Sequence, residues 1–456
     1  MRKIKEISAD TMTPISVYLR LKGKNKVILE SIPRENDQSR FSIIALNPVK
    51  HIKFTDGILS VNDETISDEN PMEFLEKLVC QPESTDENLD LPFTCGAIGY
   101  AGFDTYGIFE GIQPKLPDSI GTPDMYFMLY ESALIFDHKR EKLILVEDNT
   151  YSQRTENDLL TALSANIESL SLLTEAENEL IELNKLNFVS NISQEHFEEK
   201  VAKAKELIRN GDMFQIVLSQ RLTADFTDNP FNYYRKLRVE NPSSYMYFME
   251  FDNFHVIGSS PERLVAVHGN QVSTNPIAGT RKRGQNEFED QALIEDLESD
   301  PKEVAEHKML VDLGRNDIGK ISKYGSIEVP VFMKVEKYRY VMHITSEVTG
   351  ELRPEFTAMD ALRATLPAGT LSGAPKHRAY QRIYEFETQK RGIYGGAIGY
   401  LSKNGNCDFA IAIRTMVLKD KKAHVQAGAG IVYDSVPEHE YQETLNKAKG
   451  LLEIGQ

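Results

Sequence analysis

The chain has 456 residues, more than one hydrophobic core usually serves, so two or more lobes are expected. Its composition, with 41% hydrophobic and 27% charged residues, is typical of a globular protein, and its net charge of -17 argues against nucleic acid as a partner. We expect no signal peptide and no membrane span, and we expect a reducing cytoplasm in which Cys80, Cys95 and Cys407 are small buried side chains rather than a disulfide framework or a zinc site.

Residues 1–150 are rich in short strand-like runs separated by turn residues, so we predict a β-rich first lobe. The runs are 26–30, 41–45, 126–136 and 142–147. The next segment, from about 150 to 210, contains neither glycine nor proline and is predicted to be helical, with residues 151–192 as a connector. A helix after Ser193 is indicated by helical spacing of Phe197, Val201 and Ala204, and Gly211 is expected to end it.

From residue 212 onward, strand-like runs alternate with helical ones. The runs are 215–219, 245–251 and 255–258. One internal similarity joins the two halves of the chain, because Cys95–Tyr100 reads CGAIGY and Gly395–Tyr400 reads GGAIGY. It can record a duplicated β lobe or a chance match of two glycine-containing strands. The fold expected is α+β, with layered antiparallel sheets covered by helices and two intertwined lobes.

Two pairs of glutamates at a spacing of three are expected to lie on helices. Glu303 and Glu306 follow Asp300-Pro301, which is typical of a helix start. Glu440 and Glu443 follow Ser435 and Glu438, which have the spacing of a capping box. Two such helices facing each other could hold Mg²⁺, which accepts one or two carboxylates and keeps several waters. The same spacing recurs at 195/198 and 295/298, so spacing alone assigns no metal.

Several single residues allow both a structural and a functional interpretation. Gly428 and Gly430 permit close approach of a ligand to the backbone, or they form a bulge. Arg414 interrupts an apolar run and could clamp a carboxylate or face solvent. His343 is either a core residue or an acid–base group, and Glu262 is either a turn residue or a proton donor.

Two further segments are expected to be structural. Residues 372–376 are predicted to lead into a helix. Asp312, Arg315, Asn316 and Asp317 are predicted to form a buried polar network beside the first glutamate helix.

Five segments in a fixed order resemble one enzyme family. They are PIAGTR (276–281), EVAEHKMLVDLGRND (303–317), GTLSGAPK (369–376), YGGAIGY (394–400) and QAGAGIVYDSVPEHEYQE (426–443). The region from about 190 to the C-terminus is thereby similar to the chorismate-utilising enzymes, and most similar to the large subunits of anthranilate synthases. The resemblance implies a catalytic domain at 193–456 and a regulatory N-terminal lobe at 1–150.

The resemblance also implies roles for single residues. It implies Mg²⁺ bound by Glu306 and Glu443, with Glu303 and Glu440 as further candidates. It implies catalytic roles for Glu262, as proton donor to the departing hydroxyl, for His343, which would assist the loss of pyruvate, and for Thr370. The substrate-binding residues it implies are Gln215, Ala278, Gly279, Thr280, Tyr394, Arg414, Gly428, Ala429 and Gly430.

Two positions separate the sister enzymes of this family. Members that add water resemble this chain but carry a lysine base where it has Gln215, and a neutral amide cannot deprotonate water. Members that make aminodeoxychorismate commonly carry lysine where this chain has Ala278. Both differences favour anthranilate as the product, with aminodeoxychorismate synthase component I as the alternative. A non-catalytic, ligand-sensing homologue is the hypothesis from another class.

The resemblance implies two partners besides chorismate. We find no glutaminase-type nucleophile around the three cysteines, so a separate glutaminase subunit is expected to supply ammonia from glutamine. Tryptophan is expected as a feedback inhibitor at Leu29, Glu30 and Ser31 together with Ser244, Tyr245 and Met246. The family usually has proline where this chain has Ser244.

Overall fold

Two large antiparallel sheets form the centre of the protein. The structure, a computed structural model, describes residues 1–31, 40–66, 69–81, 91–112, 116–337 and 341–455. Within these ranges each sheet contains twelve strands. Helices cover the outer faces of both sheets, so the predicted α+β fold of layered antiparallel sheets is confirmed.

The first sheet combines strands from the beginning and the end of the chain. Its order is β1 (Arg2–Ser8), β10 (Lys142–Asp148), β9 (Ser132–Asp137), β3 (Phe41–Leu46), β2 (Val27–Glu30), β13 (Tyr245–Glu250), β14 (Phe254–Ser260), β23 (Thr415–Lys419), β24 (Lys422–Ile431), β12 (Gln215–Asp225) and β11 (Val189–Ser190), with β20 (Gly373–Ala374) beside β12. The junction between the two halves of the chain is the antiparallel pair β2–β13.

The second sheet is mixed in the same way. Its order is β17 (Ile277–Lys282), β19 (Val341–Glu351), β16 (Gln271–Thr274), β15 (Arg263–His268), β22 (Cys407–Ile411), β21 (Ala397–Ser402), β7 (Gly96–Ala101), β8 (Met125–Tyr130), β4 (Lys50–Thr55), β5 (Ile58–Val61) and β6 (Glu64–Ile66), with β18 (Glu328–Lys337) beside β19. Residues 1–150 therefore contribute strands to both sheets. The domain boundaries at 150 and 192 stay predictions.

The helices pack on the outer faces of the sheets. They are α1 (Pro14–Arg20), α2 (Pro71–Val79), α3 (Thr105–Phe109), α4 (Glu156–Leu170), α5 (Glu175–Asn178), α6 (Gln194–Arg209), α7 (Pro230–Glu240), α8 (Glu287–Ser299), α9 (Pro301–Gly319), α10 (Ala358–Thr365), α11 (Gly369–Ser372), α12 (Lys376–Phe386) and α13 (Pro437–Leu452). Among the described residues, none of these helices has both the length and the apolar character that a membrane crossing requires.

The three largest apolar clusters among the described residues hold the layers together. One lies between the two sheets, where Ile43 and Val256 of the first sheet pack with Ile98 and Tyr126 of the second. The other two lie between each sheet and its helices. Because β8 is covered on both faces, all six of its residues are buried and its sequence, MYFMLY, shows no alternation of polar and apolar residues.

The predicted helical connector is only partly correct. Helices α4 and α5 occupy its first part, but the chain leaves the helical conformation after Asn178 and has no regular secondary structure until β11. Leu183, Leu186 and Phe188 pack there against the core of the first sheet. The absence of glycine and proline permits a helix without enforcing it, and partial burial of these three large side chains favours the observed conformation.

Other local predictions have mixed outcomes. Ser193 caps α6 by accepting a bond from the His196 N–H at 3.3 Å, and the helix ends just before Gly211, as predicted. The run 126–136 is not one strand, because Glu131 separates β8 from β9 and the two belong to different sheets. All three cysteines are free thiols; Cys95 and Cys407 are buried and Cys80 is partly buried.

The repeated AIGY segments are neighbours in space. Strands β7 and β21 pair in the middle of the second sheet, and Gly99 lies directly opposite Gly399. A Cβ at Gly99 would lie 2.0 Å from the carbonyl oxygen of Tyr126, and one at Gly399 would lie 2.0 Å from that of Asp408. Equivalent crowding by the next strand out therefore gives both segments the same requirement for glycine.

Candidate active site

Two helices bring glutamates to one end of the β12–β24 ribbon. Asp300 caps α9 by accepting bonds from the N–H groups of Lys302 and Glu303 at 3.0 and 3.3 Å, as predicted. Glu306 lies one turn further along and is largely buried. Burial raises the pKa of its carboxyl group, and the nearby charges of Glu303 and Glu443 raise it further. The two helices are thus close enough for their carboxylates to repel each other.

The start of the second helix differs from the prediction. Val436, not Ser435, occupies the cap of α13, and the Ser435 hydroxyl accepts a bond from the Val432 N–H at 3.0 Å instead. The turn before the helix therefore uses the serine that a capping box would need. The pKa of Glu440 is raised by burial and by Glu443, while a bond from Ser435 opposes that rise. Glu440 and Glu443 nevertheless lie on α13 as predicted.

These glutamates form a loose acidic group and not a closed coordination shell. In the described ranges, no set of three or more histidine, cysteine, aspartate or glutamate side chains has the spacing of a metal centre. The other pairs with the same sequence spacing lie apart from this group, with Glu195 exposed on α6 and Glu295 and Glu298 exposed on α8. Tertiary position therefore distinguishes Glu306 from them.

Gln215 lies between Glu306 and the glycine strand. Its Nε2 donates a hydrogen bond to Glu306 Oε1 at 3.0 Å. A Cβ at Gly430 would lie 2.7 Å from that Nε2 atom, so glycine is required for the amide to fit. Gln215 is buried, and its Oε1 has no hydrogen-bond partner among the described residues. An amide acceptor thus remains for a ligand beside a carboxylate.

Lys447 is a residue of this site that the sequence analysis missed. Its Nζ lies 2.6 Å from Glu443 Oε1 and donates to the Gly428 carbonyl at 3.2 Å. It also lowers the pKa values of Glu262 and Glu306 electrostatically. The available signal was its position four residues after Glu443 on the same helix. The lysine supplies positive charge to a group otherwise rich in carboxylates.

His343 on β19 lies opposite β17 and is held by a bulge. Ala278 pairs with Ile344 and Thr280 pairs with His343, so Gly279 is the extra residue, with a φ of 68°. The Gly279 carbonyl lies 3.0 Å from His343 Nδ1, and Thr280 Oγ1 lies 2.9 Å from the same atom. Because a carbonyl only accepts, Nδ1 carries the proton and Nε2 is the basic nitrogen of the neutral ring.

Glu262 lies in the turn between β14 and β15 and is 6% exposed. Burial raises the pKa of its carboxyl group to about 8, although bonds from the Ile277 N–H and from Thr370 oppose the rise. Thr370 Oγ1 donates to Glu262 Oε1 at 3.3 Å. Because the pKa lies above neutrality, the Glu262 carboxyl group holds its proton at pH 7.

Tyr394 and Arg414 complete the group. A Cβ at Gly428 would lie 2.9 Å from the Tyr394 hydroxyl, so the ring reaches the glycine strand. Gly428 and Gly430, with Ala429 between them, lie inside β24. Arg414 lies in the bend between β22 and β23 with a φ of 48°, and its charge lowers the pKa of Glu262.

The buried polar network predicted for the end of α9 is largely wrong. Asp312 and Arg315 form an ion pair at 2.9 Å with side chains that are 72% and 54% exposed, and Asn316 is exposed as well. Asp317 alone is buried, and its Oδ2 binds Lys376 Nζ at 2.6 Å. Helical geometry places Asp317 on the inner face, where it joins α9 to the start of α12. Residues 372–376 lead into α12 as predicted.

The six residues expected to bind an inhibitor line one cavity of about 650 Å³. Strands β2 and β13 are neighbours with Met246 opposite Glu30, which brings the two distant segments together. Further lining residues that the sequence analysis missed are Arg263, Asn275, Lys334, Glu347, Tyr400 and Asp408. Of these additional lining residues, only Tyr400 stood out in the sequence, as the last residue of the second AIGY segment.

The chain was compared with known proteins. It matches the chorismate binding enzyme family over residues 25–453. It is 95% identical to anthranilate synthase component 1 of Lactococcus lactis subsp. lactis (strain IL1403) over 100% of both chains. It is 46% identical to anthranilate synthase component 1 of Acetivibrio thermocellus, covering 98% of this chain and 93% of the relative.

This chain is an enzyme of the anthranilate synthase component 1 family. A solved structure agrees: anthranilate synthase component I from Streptococcus pneumoniae TIGR4 has a TM-score of 0.86 and 52% identity, covering 98% of this chain and 99% of that chain. The family assignment made from the five sequence segments is confirmed. In this family member, the predicted catalytic, substrate and metal residues lie around one end of the β12–β24 ribbon, and the predicted inhibitor residues line a separate cavity.

Proposed function

We propose that this chain converts chorismate and ammonia to anthranilate and pyruvate. The observation that carries the proposal is Glu262, a buried carboxyl group whose pKa of about 8 keeps it protonated at neutral pH. Replacement of the ring hydroxyl by ammonia requires a proton donor to that hydroxyl, which leaves as water. Relatives of high identity named anthranilate synthase component 1 support the reaction.

His343 would act in the second half of the reaction. Loss of pyruvate from the aminated ring removes a ring proton and leaves an aromatic product. The basic Nε2 of His343 suits this proton transfer, since Gly279 and Thr280 fix the ring through Nδ1. Aromatisation favours the products, so positioning and one proton transfer would suffice.

Gln215 would select ammonia over water. Ammonia is a nucleophile without deprotonation, whereas water needs a base that a neutral amide cannot supply. The Oε1 acceptor of Gln215, buried beside Glu306, can receive an N–H of ammonia. Ala278 carries no amine that could add to the ring, which leaves direct attack by ammonia.

The substrate carboxylates would be received by Arg414, Tyr394 and the backbone of Gly428–Gly430. Mg²⁺ is the cofactor expected, and Glu306 and Glu443 would hold it, with Glu303 and Glu440 nearby. The donor set fits a hard cation, because it consists of carboxylate oxygens, and nearby carboxylates add to the rise that burial causes in the pKa values of Glu306 and Glu440. When bound, Mg²⁺ would neutralise the ring carboxylate of chorismate.

A glutaminase subunit would supply the ammonia. The relatives are called component 1, which implies a second component. A glutaminase nucleophile requires a thiol of lowered pKa. Burial raises the pKa values of Cys80 and Cys95 to about 12 and raises that of Cys407 as well. These thiols are unsuited to that chemistry, so the chain would use free ammonia when alone.

Tryptophan would inhibit the enzyme from the 650 Å³ cavity. Its wall carries acidic and basic side chains, including Glu30 and Arg263, next to Leu29 and Met246, which suits an amino acid with an apolar ring. Such inhibition would be expected of an enzyme at the first committed step of tryptophan biosynthesis. The free thiols of the three cysteines support a cytoplasmic location.

The proposal is tested by assaying the purified chain with chorismate, Mg²⁺ and an ammonium salt, and following anthranilate by fluorescence. We expect anthranilate and pyruvate in equal amounts, and no turnover with glutamine until a glutaminase subunit is added. An aminated, non-aromatic product would favour aminodeoxychorismate synthase, and isochorismate would contradict the role given to Gln215.

A further inference from the structure

One wall of the 650 Å³ cavity is formed by an irregular pair of strands. Lys334 and Glu336 of β18 line the cavity, as do Ser346 and Glu347 of β19. The register between β18 and β19 shifts twice, and Met333 has a φ of 54°, which is unfavourable for a side chain of its size. This wall is therefore a distorted strand that needs support from outside the ladder.

Ser346 gives that support through its side chain. Its Oγ accepts a hydrogen bond from the Met333 N–H at 2.9 Å, the donor that the distorted strand would otherwise leave unpaired. The same Oγ lies 2.7 Å from Nε2 of His307. Ser346 is 1% exposed and His307 is 0% exposed, so water cannot replace either contact.

His307 belongs to α9, the helix of the metal-binding candidates. It directly follows Glu306, and Glu303 lies one turn before it. The Nδ1 atom of His307 has no hydrogen-bond partner among the described residues, so Ser346 is the polar contact that this ring makes there. Three residues before Ser346 on β19 stands His343. A single buried hydroxyl thus joins the cavity wall to the helix that carries Glu306.

We propose that the Met333–Ser346–His307 link transmits occupancy of the cavity to the active site. A ligand that repositions β18 acts on the Met333 N–H, and Ser346 passes the displacement to His307 and so to the Glu306 carboxylate. Ser346 and His307 are positioning residues here. The inference rests on the proposed tryptophan site, and it names the residues through which inhibition reaches the catalytic group. Inhibition requires that the two ligands favour different arrangements of the link.

The measurement is a ratio of tryptophan dissociation constants with and without chorismate, made in the presence of Mg²⁺ but without ammonia or glutamine, so that turnover does not consume chorismate. The protein contains no tryptophan, so ligand fluorescence reports binding directly. The ratio in the wild type is expected at about 5–150. Both Ser346→Ala and His307→Leu remove the hydrogen bond between Ser346 and His307, and Ser346→Ala also removes the bond from the Met333 N–H, so each variant should lower the ratio at least about fivefold. A variant that only lowers folding stability changes the two dissociation constants by the same factor, so their ratio keeps the wild-type value.

Two further variants separate the link from general damage. His307→Gln keeps a donor near the position of Nε2 and should retain the wild-type ratio. Ser322→Ala removes another buried hydroxyl, which donates only to the Ile318 carbonyl of α9 at 2.7 Å, and should also retain it. If Ser346→Ala and His307→Leu are both folded and both keep the wild-type ratio, the proposed link is wrong. The proposed inhibition by tryptophan would not be affected by that result. Absence of tryptophan binding in the wild type removes the proposed regulation itself, and the link with it.

Discussion

At the scale of single residues, burial decides which acidic groups can donate protons. Glu262 and Glu306 are both buried carboxyl groups, but their neighbours differ. Glu262 contacts Thr370, whereas Glu306 lies near Glu303 and Glu443 and accepts a bond from Gln215. One site suits a neutral acid, and the other suits a cation. In the sequence, only the family resemblance gave these two glutamates different roles, because the burial and the spatial neighbours of each carboxyl group come from residues far away in the chain.

The protonated state of Glu262 gives a pH prediction. Because the pKa is raised from 4.5 to about 8, the acid form is present below about pH 8 and is lost above it. At a fixed concentration of unprotonated ammonia, kcat/KM should fall as the pH rises through about 8. Glu262→Gln should lower turnover about 10²–10⁴-fold and abolish that titration.

The same shift has a consequence for stability. The folded state binds a proton that the unfolded state releases above about pH 4.5, so wild-type stability should fall as the pH rises from there to about 8. Glu262→Gln should lack this decline in chemical denaturation.

A kcat/KM that is independent of pH as the pH rises through about 8, with ammonia held constant, would contradict the assignment of Glu262 as the acid.

His343 gives a prediction about the second step. If its Nε2 serves the elimination, His343→Met should slow pyruvate release more than amination. The aminated intermediate should then accumulate, and chromatography of quenched reactions would detect it. Recovery of unreacted chorismate alone would mean that His343 is needed before amination or only for the structure.

At the scale of elements, α9 and α13 matter because their glutamates lie close enough to influence one another electrostatically. Each helix was predictable from its proline and glutamate spacing; Asp300 was assigned correctly as the cap of α9, whereas Ser435 is not the cap of α13. The meeting of Glu306 with Glu443 was implied only by the family resemblance, since helix spacing says nothing about a partner helix. Lys447 was missed for a related reason: its proximity to Gly428 depends on how α13 packs on β24.

The metal prediction belongs to these two helices. Glu306→Gln and Glu443→Gln should each abolish Mg²⁺-dependent turnover, because a neutral amide is a weaker ligand for a hard cation. The matched control is Glu295→Gln, an exposed glutamate with the same spacing on α8, which should behave as the wild type. Calorimetric Mg²⁺ binding provides a readout without turnover. Unchanged Mg²⁺ affinity in both active-site variants would sink the assignment.

At the scale of the whole molecule, the first 150 residues share both sheets with the catalytic residues. The cavity lies where β2 of the first part meets β13 and where β18 and β19 form the opposite wall. A ligand there contacts elements from both halves of the chain at once. This placement suits a regulator, because relative movement of the two halves changes the shape of the cavity.

The tryptophan prediction tests that placement. Ser31→Phe should fill the cavity and relieve inhibition while leaving uninhibited turnover near the wild-type value, since Ser31 lies outside the catalytic group. Chorismate should weaken tryptophan binding by the same factor by which tryptophan weakens chorismate binding, about 5–150-fold. Equal tryptophan affinity in the wild type and in Ser31→Phe, measured by ligand fluorescence, would exclude the cavity.

The sequence by itself determined the class of fold, several helix caps and the family, because each depends on local spacing or on short ordered segments. It did not determine the irregular segment after Asn178, the exposure of Asp312 or the neighbours of Ser346. Those depend on which distant surfaces are available for burial. The raised pKa of Glu262 and the contact of Lys447 with Glu443 likewise arise from packing between elements far apart in sequence, so only the tertiary structure decided them.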